Sequence, residues 1–131
     1  MSLLLDTPIA FWLAFKPQEL TAGERAAIQA DRNALAVSVV SLWELRIKWS
    51  RQFTSGARKG PAEPAAMLGV LNLARISLIP LMPNVAVASL DPPLDHSDPF
   101  DELLLTQAQQ AGYRLLTRDR QLASHPVALV A

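Results

Sequence analysis

Residues 98–119 read DPFDELLLTQAQQAGYRLLTRD. Asp98 followed by Pro99 marks a helix entry, because an aspartate side chain accepts from unpaired N–H groups and proline suits the first helical position. Gly112 can end that helix, since glycine takes the left-handed conformation common just past a helix. The apolar run RLLT that follows reads as a strand. A helix thus leads directly into a strand, with carboxylates at the start of one and beyond the end of the other.

The same alternation extends through the chain. SLLLD is a short apolar run closed by an acid, and TPIAFWLAF places Pro8 in a first helical turn. TAGERAAIQADR sets Thr21 three residues before Glu24, the spacing of a capping box, and ALAVS reads as a second buried strand. SLWELRIKWSRQF repeats the device with Ser41 ahead of Glu44. AAMLGVLNLAR predicts a further helix, ISLIPL a third strand, PNVAVASL a short helix and VALV a last strand, while TSGARKGPAEP and DPPLDHS read as loops. No internal repeat or low-complexity tract interrupts the pattern.

Short apolar strands alternating with helices predict an α/β fold, a three-layer α/β/α sandwich with a mainly parallel central sheet. A chain of 131 residues, 50% of them hydrophobic, is expected to form one domain over residues 1–131. Cysteine is absent, which excludes disulfides and thiolate metal sites. The apolar start MSLLLDTPIAFWLAF has no basic leader and Asp6 interrupts it, so no membrane span is expected and a soluble cytoplasmic protein is the reading. Formal charge is zero but segregated: five basic and no acidic residues lie from Arg46 to Lys59, five acidic and no basic ones from Asp91 to Glu102.

In parallel sheets, ligands gather beyond the carboxyl ends of the strands. Asp6 closes the first strand and Asp119 lies two residues past RLLT, so both belong to that edge. Glu44 opens the helix after the second strand, and Asp98 and Asp101 share one face at the start of the helix before the fourth. Each has a local alternative. Glu44 is also placed to complete a capping box with Ser41, Asp98 to be an N-cap, Asp101 to favour the helix dipole and Asp119 to sit in a turn. Asp6 directly follows three leucines, where an unpaired buried charge is costly.

Carboxylates converging from distant positions repel one another and weaken a fold unless a cation neutralises them. An oxygen-only donor set favours Mg2+ or Mn2+ over zinc. Such ions engage phosphates and activate water, which points to phosphodiester chemistry.

LLLDT, VSVVSLWELRIK, SDPFDELLLTQA and LLTRD, in this order over nearly the whole chain, resemble the PIN-domain ribonucleases, particularly VapC-type toxins of toxin–antitoxin modules. The resemblance implies that Asp6, Glu44, Asp101 and Asp119 form a metal site, with Asp98 sometimes contributing. It also implies Mg2+ or Mn2+, endonucleolytic cleavage of RNA, a homodimer, and inhibition by a small VapB-type antitoxin. Two positions depart from the family pattern: Pro8 stands where a histidine often follows DT, and Glu102 where a basic residue often follows DPFD.

Other residues carry double readings. Thr7 and Thr117 are placed to bond a phosphate or orient a carboxylate, and Thr117, at a strand end, equally to pack. His96 reads as a proton donor or an exposed loop residue, and Arg118 and Arg120 as phosphate contacts or plain surface. The basic segment, with Lys48 and Arg51, is either an RNA path or a solvated helix face. Trp12 to Phe15 and Trp43 to Phe53 are expected to offer an antitoxin apolar surface, unless core packing absorbs them. Three competing functions remain: a processing nuclease without a dedicated inhibitor, a catalytically weak binding module, and an Asp6-nucleophile phosphatase. The last lacks its usual second acid, since position 8 is proline.

Overall fold

The computed structural model describes residues 2–51, 54–57, 60–95 and 98–131, the side chain of residue 33 excepted. Phe53, Lys59 and His96, named above, and Arg58 of the basic segment lie outside this set.

Among the described residues, five strands form one sheet: β1 (Leu3–Leu5), β2 (Leu35–Ser38), β3 (Ser77–Ile79), β4 (Arg114–Leu116) and β5 (Ala128–Leu129). Their order is β3-β2-β1-β4-β5, and every pairing is parallel. Among the described residues, six α-helices accompany them: α1 (Thr7–Phe15), α2 (Ala22–Ala30), α3 (Val39–Trp49), α4 (Pro64–Leu73), α5 (Pro83–Ala86) and α6 (Pro99–Ala111).

Strand periodicity sorts the core into two layers. Leu3, Leu5, Val37 and Leu116 face a cluster completed by Ile9 and Phe11 of α1, Ile28 of α2 and Met67 and Leu71 of α4. Leu4, Ala36 and Leu115 face the opposite cluster, where α6 supplies Leu104, Leu105 and Ala108. Helix α3 spans both, giving Leu45 to the first and Val40 to the second. The expected three-layer sandwich is the observed one. No helix among the described residues is long and apolar enough to cross a membrane.

The helix starts signalled in the sequence are found at α2 and α6 but not at α3. Thr21 and Glu24 form the complete capping box of α2, and Asp98 caps α6 with Pro99 in its first turn. Gly112 ends α6 at φ 76°, a conformation that favours glycine. Helix α3, however, begins at Val39, and its N-cap is Ser38, whose hydroxyl accepts from the Val40 N–H at 3.0 Å. Ser41 therefore lies inside the helix, and the expected Ser41–Glu44 capping box does not form. Glu44 points its carboxylate elsewhere.

Candidate active site

The sheet order fixes where a site can stand. From β1 the chain builds outward through β2 and β3, then returns to add β4 on the other side of β1. The crevice between the carboxyl ends of β1 and β4 is thus the switch point where parallel sheets bind ligands. Asp6 leaves β1 there, and residues 117–119 leave β4.

Asp6 is buried, and its backbone N–H donates to Leu116 O at 3.0 Å, extending the β1–β4 pairing. One carboxylate oxygen accepts from the Thr7 N–H at 2.9 Å and the other from the Thr117 hydroxyl at 2.7 Å. Thr117, fully buried, also accepts from the Asp119 N–H at 3.1 Å. A single threonine hydroxyl therefore joins the two acids.

Glu44 is held from two sides. Thr7 Oγ1 lies 2.9 Å from Glu44 Oε1 and 2.8 Å from Ser41 Oγ, and Lys48 Nζ donates to Glu44 Oε2 at 2.9 Å. A carboxylate only accepts, so Thr7 gives its proton to Glu44 and receives the one from Ser41. Both threonines thus orient carboxylates, one of the readings given for each. Asp98 uses Oδ1 as the α6 cap, taking the Phe100 N–H at 2.9 Å, while Asp101 follows within the first turn.

Asp6, Glu44, Asp98, Asp101 and Asp119 line one cavity of about 320 Å³. Pro8, Ile9, Trp12 and Arg118 complete its wall. All five acids singled out in the sequence therefore meet, including Asp98, which is at once a cap and a wall residue. Glu102 is exposed and outside the cavity wall, as is Arg120. A larger cleft, about 650 Å³, lies elsewhere, near Pro92–Asp95 and His125, and both ring nitrogens of that histidine already have backbone partners.

Burial raises the Asp6 carboxyl above its ordinary range, and the nearby charges of Glu44 and Asp119 push it the same way. The hydrogen bonds from Thr117 and Thr7 oppose that shift without cancelling it. The shift is chiefly that of a buried carboxyl, with repulsion from the neighbouring acids as a smaller addition.

The donors are all hard oxygens, which suits a hard divalent cation. Among the described residues, no three His, Cys, Asp or Glu side chains are drawn together closely enough to hold an ion as they stand. A divalent cation held here would have to keep several waters and bind directly through only one or two carboxylates.

Three features were absent from the sequence reading. Glu24 is not only a capping residue: it is buried and pairs with Arg118. Arg118 also stacks on Trp12, its guanidinium carbon 4.1 Å from the ring centroid. Ser38, not Ser41, starts α3 and donates to the buried Gln107 side chain.

A parallel sheet bearing an acid cluster at its switch point defines a class of α/β proteins with an oxygen-only site. Within that class the chain belongs to the PIN-domain family, whose model matches residues 3–127. It is 30% identical over 125 residues to Ribonuclease VapC22 of Mycobacterium tuberculosis (strain ATCC 25618 / H37Rv), covering 95% of this chain and 92% of that one. The fold resembles a chain in the VapBC2 structure from Rickettsia felis bound to a promoter DNA fragment, with TM-score 0.66, 16% identity and coverage of 100% and 98%. A toxin–antitoxin complex from Klebsiella pneumoniae gives TM-score 0.65 at 18% identity, covering 98% of this chain and 97% of that one.

Proposed function

We propose that the protein is a divalent-metal-dependent endoribonuclease of the VapC type, the toxin of a toxin–antitoxin pair, formed by residues 1–131 as one domain. The observation that carries this reading is the convergence of Asp6, Glu44, Asp98, Asp101 and Asp119 on one cavity at the switch point. Similarity to Ribonuclease VapC22 and to chains in toxin–antitoxin complexes supports the substrate and the biological setting.

Mg2+ or Mn2+ bound among Asp6, Glu44, Asp101 and Asp119, with Asp98 at the rim, would neutralise the cluster and supply Lewis-acid activation of water. The chain's own contribution is preorganisation. Thr117 and the Thr7 N–H fix both oxygens of Asp6, Thr7 and Lys48 fix those of Glu44, and the α6 N-terminus presents Asp98 and Asp101 together.

RNA is the proposed substrate, a small VapB-type antitoxin the proposed inhibitor, the cytoplasm the proposed compartment and a homodimer the proposed assembly. Trp43 supports a partner surface on α3, because it is 52% exposed and borders two apolar clefts of about 330 and 470 Å³. The basic segment gives weaker support for an RNA path: Lys48 is engaged by Glu44, and Arg46 lies over Trp43 at 4.8 Å.

The test is cleavage of RNA with Mn2+ by the purified protein and by Asp6→Asn, Glu44→Gln, Asp101→Asn and Asp119→Asn. Each variant should lose at least about 100-fold in rate, beyond the 10- to 100-fold typical of residues one step removed from a metal. Folded variants that cleave normally would overturn the proposed site. Co-purification with a neighbouring gene product that silences cleavage tests the toxin assignment; a complex fully active on RNA would remove it.

A further inference from the structure

Arg118 is the one cation among the described residues that line the acidic cavity. Its ion-pair partner is nevertheless none of the five acids that share that wall. Glu24, outside the cavity and 1% exposed, takes Nε at 2.9 Å on Oε2 and Nη2 on Oε1. Nη2 also donates to Glu19 O at 2.9 Å. Glu24 is itself fixed, because Oε1 accepts the Thr21 N–H at 2.9 Å in the α2 capping box. The guanidinium lies against Trp12, so its position is set by an ion pair, a helix start and an aromatic ring.

This arrangement leaves one edge of the guanidinium unused. Nε and Nη2 are committed, whereas Nη1 has no hydrogen-bond partner among the described residues, and the side chain is 40% exposed. An untethered arginine beside five carboxylates would pair with them and occupy the cation's place. Glu24 holds it away from them while keeping it in the wall. A fixed guanidinium with a free N–H edge, in the partly exposed wall of a cavity otherwise lined by acids and apolar groups, is suited to an anionic ligand.

We infer that Arg118 is a substrate-binding residue whose Nη1 edge holds a phosphate of the RNA strand entering the acidic cavity, with Glu24 and Trp12 fixing its position. The inference rests on the ribonuclease reading above. It predicts that the strand is anchored by Arg118 on one side of the acids rather than by bulk positive charge.

The experiment compares the wild type with Arg118→Lys and Arg118→Gln. Its readouts are KM for cleavage of a single-stranded RNA with Mn2+, affinity for the same labelled RNA in EDTA, the salt dependence of both, and the melting temperature. A lysine ammonium keeps a positive charge beside Glu24 but loses the two-point pairing, the Glu19 contact and the free edge, so Arg118→Lys should melt lower than the wild type yet stay folded at the assay temperature. Its KM should nonetheless rise about tenfold, and its affinity should lose the roughly 0.7 of salt slope expected for one single-strand phosphate. Arg118→Gln should weaken binding at least as much. Wild-type KM, affinity and salt slope in Arg118→Lys would overturn the inference and leave Arg118 a tie between α2 and the β4 end. Failure of the wild type itself to bind or cleave RNA would remove the ribonuclease reading and this inference together.

Discussion

Thr117 shows how much of the site depends on a neutral group. Its hydroxyl proton goes to Asp6 Oδ2, and its oxygen takes the Asp119 N–H, so two acids from strands 111 residues apart in sequence share one anchor. Asp6 is already raised by burial and by neighbouring negative charge, and Thr117 provides the strongest opposing hydrogen bond. Thr117→Val keeps the side-chain shape and removes both interactions. Asp6 should become harder to ionise and less well oriented, lowering Mn2+ affinity and RNA cleavage by about 10- to 100-fold. Calorimetric Mn2+ titration and a cleavage assay measure this directly; wild-type values in both would show that Thr117 only packs. Thr7→Val should act in the same direction through Glu44, whose Oε1 loses its 2.9 Å partner.

Helix α3 presents Glu44 to the acidic cavity from its interior because Ser38 caps it and Val39 begins it. With Val39 as the first helical residue, Glu44 lies well inside the helix and its side chain is not needed at the terminus. Ser38→Ala removes that cap and also the donor to buried Gln107, so it should cost about 1 to 3 kcal/mol by the usual values for a lost cap and an unsatisfied buried acceptor. Urea midpoints of the wild type and variant measure the loss; an unchanged midpoint would refute the cap assignment. The sequence favoured Ser41 because Val39 and Val40 are β-branched and read as neither strand end nor helix start. Elsewhere local signals sufficed. Three leucines followed by Asp6, the Thr21–Glu24 box and the Asp98-Pro99 entry with Gly112 at the exit each placed an element, and the placed elements brought five acids to one edge. What escaped the sequence was long-range pairing. Glu24 and Arg118 are separated by 94 residues, and a glutamate that already completes a capping box gives no local sign of a second partner.

At the scale of the whole molecule, the acid cavity and the Glu24–Arg118 pair pull stability in opposite directions with pH. Glu24 is held below its ordinary value of 4.5, chiefly by the Arg118 hydrogen bond. Its contribution is therefore present above 4.5 and is lost as pH falls through the lowered folded value. Asp6 is raised above 3.8, chiefly by burial, so between 3.8 and its folded value the native state binds more protons than the unfolded chain. Without divalent cations that group makes stability fall as pH rises across the interval, and the penalty persists above it. Asp6→Asn removes the charge but keeps an oxygen for the Thr7 N–H, so the metal-free variant should melt higher than the wild type at pH 8. A bound divalent cation reverses the ranking, since a ligand at 100 times its dissociation constant stabilises the native state by about 2.7 kcal/mol. Saturating Mn2+ should thus raise the wild-type melting temperature by several degrees and that of Asp6→Asn by much less. Melting curves of both proteins at pH 5 and pH 8, in EDTA and in Mn2+, separate these contributions. If Mn2+ leaves the wild type unmoved, and the two proteins melt together at pH 8 in EDTA, the cavity is neither a cation site nor a cluster of strained charge.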